Sequence, residues 1–193
     1  MGSHVCPWWL AYTFDNPLRA LFHRSDQIFS SFVKEGMTVA DIGCGMGYFS
    51  IGLAKIVKEN GKVIAVDIQT KILEVLEKRA RSAGVSDIVQ TRLCKENEIG
   101  IPEPIDFALT FWMVHEAPEI KPFLQQINDI LKDSGLLLIA EPKLHVSRSQ
   151  FEHEIDIARD IGFRIKDEPK ISFSHSVLLE KAEDTRSINA RTY

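Results

Sequence analysis

The chain has 193 residues, 45% of them hydrophobic and 26% charged, with a formal net charge of -4. That length suits one domain with a sizeable core, and that composition is of an ordinary soluble globular protein. The acidic balance gives no general attraction to nucleic acid, no apolar run approaches a membrane span, and the start lacks the order of a signal peptide; the expected location is cytoplasmic, with neither membrane nor nucleic acid as partner.

Residues 8–32 are rich in aromatics, and Leu18, Leu21, Phe22, Ile28, Phe29 and Phe32 recur near helical spacing, which predicts a helical cap or lid over 1–32. Residues 37–42 read as a buried strand entering a glycine-rich turn, followed by a helix over 48–57. Asn60-Gly61 is a turn, and residues 63–66 form a second strand ending at Asp67. Thr70 is placed as N-cap of a helix carrying Ile72, Leu73, Leu76 and Ala80, closed by Gly84. Further strands are expected over 88–93, 105–111 and 136–140, with a helix over 123–131 and a turn at Lys132-Asp133-Ser134-Gly135. A helix over 151–161 stops at Gly162, and 163–166 with 171–179 form a closing antiparallel pair. A polar tail occupies 182–193. Such alternation predicts an α/β domain over 33–181, a doubly wound, largely parallel sheet with helices on both faces and ligands beyond the carboxyl ends of the strands.

Asp41-Ile42-Gly43-Cys44-Gly45-Met46-Gly47 joins the first strand to its helix. Glycines there let a ligand approach bare backbone, beside the unpaired N–H groups of a helix start. Dinucleotide binding wants G-x-G-x-x-G, but the third place is Tyr48 counted from Gly43 and Ser50 counted from Gly45; a P-loop lysine is also missing. The spacing suits instead a ligand with an amino-acid end and no pyrophosphate, with Asp41 as acceptor for its amino group. Asp67 stands where an acid can accept from both hydroxyls of a ribose. The alternatives are a tight turn with Asp41 tied to local backbone, and a solvated Asp67.

With these residues placed, the chain resembles class I S-adenosylmethionine-dependent methyltransferases, above all the small quinone-biosynthesis-like group, over about 33–181. The resemblance implies a Rossmann-like sheet of seven strands with the last antiparallel, and S-adenosylmethionine as cofactor. It places the methionine part of the cofactor against Asp41, Gly43, Cys44, Gly45 and Gly47, with Tyr48 and Phe49 at the following helix start. Asp67 then holds the ribose and Ile68 lies against adenine. The family often has a Gly-Asp-Ala type stretch after its third strand; here Cys94 stands at the acid, leaving Lys95 backbone or Glu96 for the adenine contact. Phe111 and Trp112 border the cofactor and the transferring methyl.

His115, just after the fourth strand, is the preferred general base, because imidazole titrates near neutral pH; the alternative is a histidine bound to a loop carbonyl. His23 and His145 rank below it. Trp8, Trp9, Tyr12 and Phe14, together with Trp112, suit a planar or apolar acceptor and the exclusion of water, or else pack as a simple cap. No metal site is expected. Cys6, Cys44 and Cys94 are odd in number and far apart, so reduced thiols are expected. The expected function is therefore methyl transfer to a small molecule. Its rivals are a non-catalytic cofactor-binding protein and a methyltransferase acting on protein or RNA.

Overall fold

The computed structural model describes residues 22–182. Trp8, Trp9, Tyr12 and Phe14 lie outside these residues, as do most of the expected cap and nearly all of the polar tail. A short helix, α1 (Ser25–Phe29), precedes β1 (Thr38–Ile42), α2 (Tyr48–Val57), β2 (Lys62–Asp67), α3 (Thr70–Ser82), β3 (Val89–Leu93) and β4 (Ile105–Phe111). A 3-10 turn (Val114–Glu116) leads to α4 (Ile120–Ile130), β5 (Leu131–Pro142), α5 (Arg148–Asp160), β6 (Phe163–Asp167) and β7 (Ser174–Lys181). The strands form one sheet in the order β3-β2-β1-β4-β5-β7-β6. Among the described strands only β7 runs against the rest, pairing antiparallel with both β5 and β6. The expected α/β architecture, with seven strands and an antiparallel last one, is therefore what the chain adopts.

Strand residues alternate between two cores, because successive side chains point to opposite faces. On one face Val39, Phe107, Leu109, Leu138 and Ala140 pack with Phe29 of α1, Leu53 of α2 and Leu76 of α3. On the other, Ala40, Ile42, Ala108, Leu137 and Ile139 pack with Leu124 and Ile127 of α4 and Phe151 and Ile155 of α5. Burial on both faces explains why these strands read as near-continuous apolar runs.

Several boundaries differ from the sequence reading. Thr70 is the first helical residue of α3, and Gln69 is the N-cap without a side-chain cap bond; the preceding turn is held instead by Asp67, whose Oδ1 accepts from the Gln69 N–H at 2.9 Å. The helix expected over 123–131 starts earlier, at Ile120, with Pro122 in its first turn, where a missing N–H costs nothing. The expected turn at Lys132–Gly135 lies inside β5: Ile105 pairs with Leu131 but Phe107 with Leu136, so the intervening residues bulge out of the ladder. Helix α5 starts at Arg148 because Ser147 and Gln150 form a reciprocal capping box.

Gly47 is required by packing. Its φ is 85°, and a Cβ there would lie 2.5 Å from Cγ of Leu76 on α3. Gly47→Ala adds a left-handed backbone penalty to overpacking, together roughly 2–4 kcal/mol. Thermal unfolding should show a fall in Tm of roughly 5–10 °C; a fall below about 1 °C would mean that the spacing of α2 and α3 adapts freely.

Candidate active site

The order of strands reverses between β1 and β4, and in sheets of this kind that is where a crevice opens at the carboxyl ends. Asp41, near the end of β1, is buried, and its Oδ2 accepts from Ser50 Oγ at 2.5 Å, tying the strand to the first turn of α2. The chain then turns sharply. The N–H groups of Gly43 and Cys44 both donate to the Val66 carbonyl, at 2.9 and 3.0 Å, which pins the turn to the end of β2. Gly45 has φ 52°, and no atom of the described residues beyond its chain neighbours lies within 4 Å of where its Cβ would stand. That space belongs to a cavity of about 420 Å³.

Asp67 forms the adjoining wall. Its carboxylate accepts from Gly45 N–H at 3.3 Å and from Gln69 N–H at 2.9 Å. Burial pushes its pKa up from the usual carboxylate value, against the backbone donors that pull it down. Backbone donors thus hold an acid open to the cavity at the end of β2. Ile68 follows and is partly exposed to the same space. Beside it, the Cys94 N–H donates to the Asp67 carbonyl at 3.1 Å, and Lys95 and Glu98 close a tight turn through reciprocal backbone bonds of 3.1 Å. Burial and the nearby Asp67 push the Cys94 thiol up to about 11, and burial with Asp41 and Asp67 raises Cys44 well above the ordinary thiol value, so both thiols stay protonated at neutral pH.

Of the residues singled out in the sequence, Gly43, Gly45, Asp67, Ile68, Cys94, Lys95 and Trp112 line this cavity, as does Glu96. Asp41, Cys44, Gly47, Tyr48, Phe49 and Phe111 do not line it and support it from behind. Phe49 packs against Phe111 with ring centroids 4.3 Å apart, and Phe111 against Trp112 at 5.4 Å. Tyr48 donates its hydroxyl to the His23 carbonyl at 2.9 Å. His23 is buried among Phe49, Phe111, Trp112 and Phe173, with Nε2 bonded to the Ser172 carbonyl at 2.8 Å.

His115 lies between cavity-lining neighbours, Met113 and Glu116, without lining the cavity itself. Its Nδ1 is held by the carboxylate of Glu141, a residue 0% exposed at the end of β5. Burial pulls the His115 pKa down, but the hydrogen bond and charge of Glu141 outweigh it, and the net shift is upward. Glu154, on α5, is buried beside this pair; burial and the Glu141 charge push its carboxyl up to about 8. Sequence reasoning missed Gln69, Ile72, Met113, Phe123 and Gln126 in the lining. Gln126 carries the clearest role: its Oε1 accepts from Ile99 N–H and its Nε2 donates to the Asn97 carbonyl, fastening the loop after β3 to α4. A polar residue on an amphipathic helix gives no sequence signal for such a bond.

With this geometry in view, the methyltransferase-domain family model matches residues 33–186. The chain is 29% identical over 131 residues to the ubiquinone biosynthesis O-methyltransferase of Colwellia psychrerythraea, covering 65% of this chain and 52% of that protein. It is 31% identical over 120 residues to the protein-L-isoaspartate O-methyltransferase of Thermotoga maritima, covering 61% of this chain and 35% of that protein. Among solved structures, a SAM-dependent methyltransferase from Aquifex aeolicus superposes with a TM-score of 0.76 at 25% identity, covering 90% of this chain and 97% of that one. The chain thus spans about half or less of the curated relatives it matches. It belongs to the class I S-adenosylmethionine-dependent methyltransferases, and S-adenosylmethionine is its cofactor.

Proposed function

We propose that this protein transfers a methyl group from S-adenosylmethionine to a small-molecule acceptor. The observation that carries the reading is the shared wall of one cavity: the bare backbone of Gly43 and Gly45 beside the buried carboxylate of Asp67. The residues fit the cofactor. The space in front of Gly45 admits a ligand against the backbone, and Asp67 offers acceptor oxygens to a ribose. Ile68, Cys94 and the Lys95 backbone meet the adenine, while Asp41 reaches the amino-acid end through the turn that it braces with Cys44, Gly47, Tyr48 and Phe49. S-adenosylmethionine supplies a methyl group already activated on a sulfonium centre. What the chain must add is alignment and the exclusion of water, worth several kcal/mol. Trp112, backed by Phe111, is the aromatic wall on the acceptor side.

Where the acceptor is a hydroxyl or an amine, its proton goes to His115. Glu141 at Nδ1 leaves Nε2 as the basic nitrogen and strengthens it. The acceptor class is supported by the aromatic character of the approach, by the chain's net negative charge, and by the quinone-pathway relative. The isoaspartate relative keeps a protein acceptor in view.

Incubation with methyl-labelled cofactor and cell extract, fractionated into metabolites, protein and RNA, separates these readings. Label is expected in the metabolite fraction, and label confined to protein or RNA would replace the acceptor class. In the same assay His115→Ala should lower turnover about 100-fold while cofactor affinity stays within threefold. Unchanged turnover would remove the base role.

A further inference from the structure

We infer that Glu141 is a positioning residue for the cofactor cavity, its carboxylate standing in for a strand that the sheet lacks. The inference rests on the proposed cofactor site and deepens it. The ladder between β4 and β5 ends at the pair Phe111 and Ala140. Beyond it the chain after β4 leaves the sheet, so its amides need acceptors from elsewhere. The Trp112 N–H donates to the Ala140 carbonyl at 2.7 Å. The next two N–H groups, of Met113 and Val114, both donate to Oε1 of Glu141, at 3.2 and 2.9 Å. The other oxygen, Oε2, holds His115 Nδ1. One buried carboxylate therefore takes donors from three consecutive residues.

The segment so held is strained and lines the cavity. Trp112 has φ 61°, a left-handed conformation that a tryptophan keeps only when its surroundings impose it. Its indole Nε1 is also tied down, donating to Ser174 Oγ at 2.8 Å. Met113 packs closely on the glycine turn: a Cβ added to Gly43 would lie 3.0 Å from its Cγ. Trp112 and Met113 thus form the wall facing Gly43 and Asp67, and Glu141 is what keeps the backbone behind them in place.

Chemistry explains why an acid serves here. A carboxylate only accepts, and its two oxygens can satisfy all three donors. Glutamine keeps one oxygen for the Met113 and Val114 amides but turns an amide N–H₂ toward His115. Alanine leaves both amides without the acceptor that holds them and removes the support of the backbone that follows the strained Trp112.

The test is calorimetric binding of S-adenosylhomocysteine to the full chain and its variants at a temperature where all are folded. Glu141→Ala should weaken binding at least about thirtyfold, and Glu141→Gln should recover most of it, leaving a three- to tenfold loss against the native chain. Val57→Ala, fully buried in α2 at the opposite end of the strands, serves as the control for lost stability, and its affinity should not move. If Glu141→Ala does not fold, Glu141→Gln carries the test alone. Affinity of the Glu141 variants within twofold of native, or an equal loss in Val57→Ala, would overturn the positioning role. A native chain that binds none of the nucleoside would instead bring down the functional reading, and this one with it.

Discussion

Replacing Gly45 with arginine should leave the fold intact and weaken S-adenosylmethionine binding by at least a hundredfold, about 3 kcal/mol. The fold survives because, among the described residues, nothing packs within 4 Å of the position of the new Cβ, so none of their packed atoms has to move. A left-handed backbone at φ 52° costs a non-glycine residue about 1–2 kcal/mol, which a domain of ordinary stability tolerates. Binding fails for two reasons that act together. The side chain occupies the space that the proposed cofactor needs, and its guanidinium reaches the carboxylate of Asp67, whose Oδ2 already accepts from the Gly45 N–H. Arg–carboxylate pairs are geometrically well matched, so the acid proposed to hold the ribose is withdrawn as well. Isothermal calorimetry alongside a thermal melt checks both halves. Retained affinity in a folded variant would show that the cofactor lies away from this turn.

The second large effect is on stability and comes from Glu154. The residue is 3% exposed, its Oε2 has no hydrogen-bond partner among the described residues, and it faces the Glu141–His115 pair. Its pKa is pushed from 4.5 to about 8. Below the ordinary carboxylate range both the folded and unfolded chains hold this proton, and the group is neutral to stability. Between about pH 4.5 and pH 8 the unfolded chain has lost it and the folded chain has not, so stability falls as pH rises through that window. His115 adds to the trend. Its pKa is raised in the fold, so its contribution is full below the unfolded value of 6.5 and is lost as pH rises through the folded one. Glu154→Gln should remove the first of these effects. Relative to the native chain, the variant should gain about 3 kcal/mol between pH 5 and pH 8, a rise in Tm of roughly 6–12 °C at the upper end. The pH dependence is the readout, since a buried amide nitrogen carries a desolvation cost of its own at every pH. Equal gains at pH 5 and pH 8 would mean that Glu154 ionises normally in the folded protein.

The glycine turn and the buried Glu154 differ in how visible they are in the sequence. The glycine turn is a contiguous motif. Asp41 to Gly47 and Asp67 carry their meaning in local spacing, and the structure brings Gly43, Gly45 and Asp67 to one wall as that spacing implies. Glu154 gave no such sign. On a surface helix a glutamate among Arg148, Glu152 and Asp156 reads as one more solvated charge, and only the docking of α5 against the end of β5 buries it. Glu141 was visible only as a lone acid near a strand end. Its importance comes from two amides and an imidazole, donors more than 25 residues away along the chain.

Local chemistry, then, was enough for the alternation of strands and helices, the reversal of strand order that it implies, and the position of the glycine turn. Period-2 and helical patterns and turn residues act over a few neighbours, and those neighbours are in the sequence. Tertiary structure alone decided which expected residues reach the cavity and which stand behind it, how the Lys132–Gly135 segment is absorbed into β5, and where buried charge collects. The physical reason is the same in each case. Burial, desolvation and long-range hydrogen bonds depend on which elements pack together, and a carboxylate has no fixed pKa or partner until that packing surrounds it.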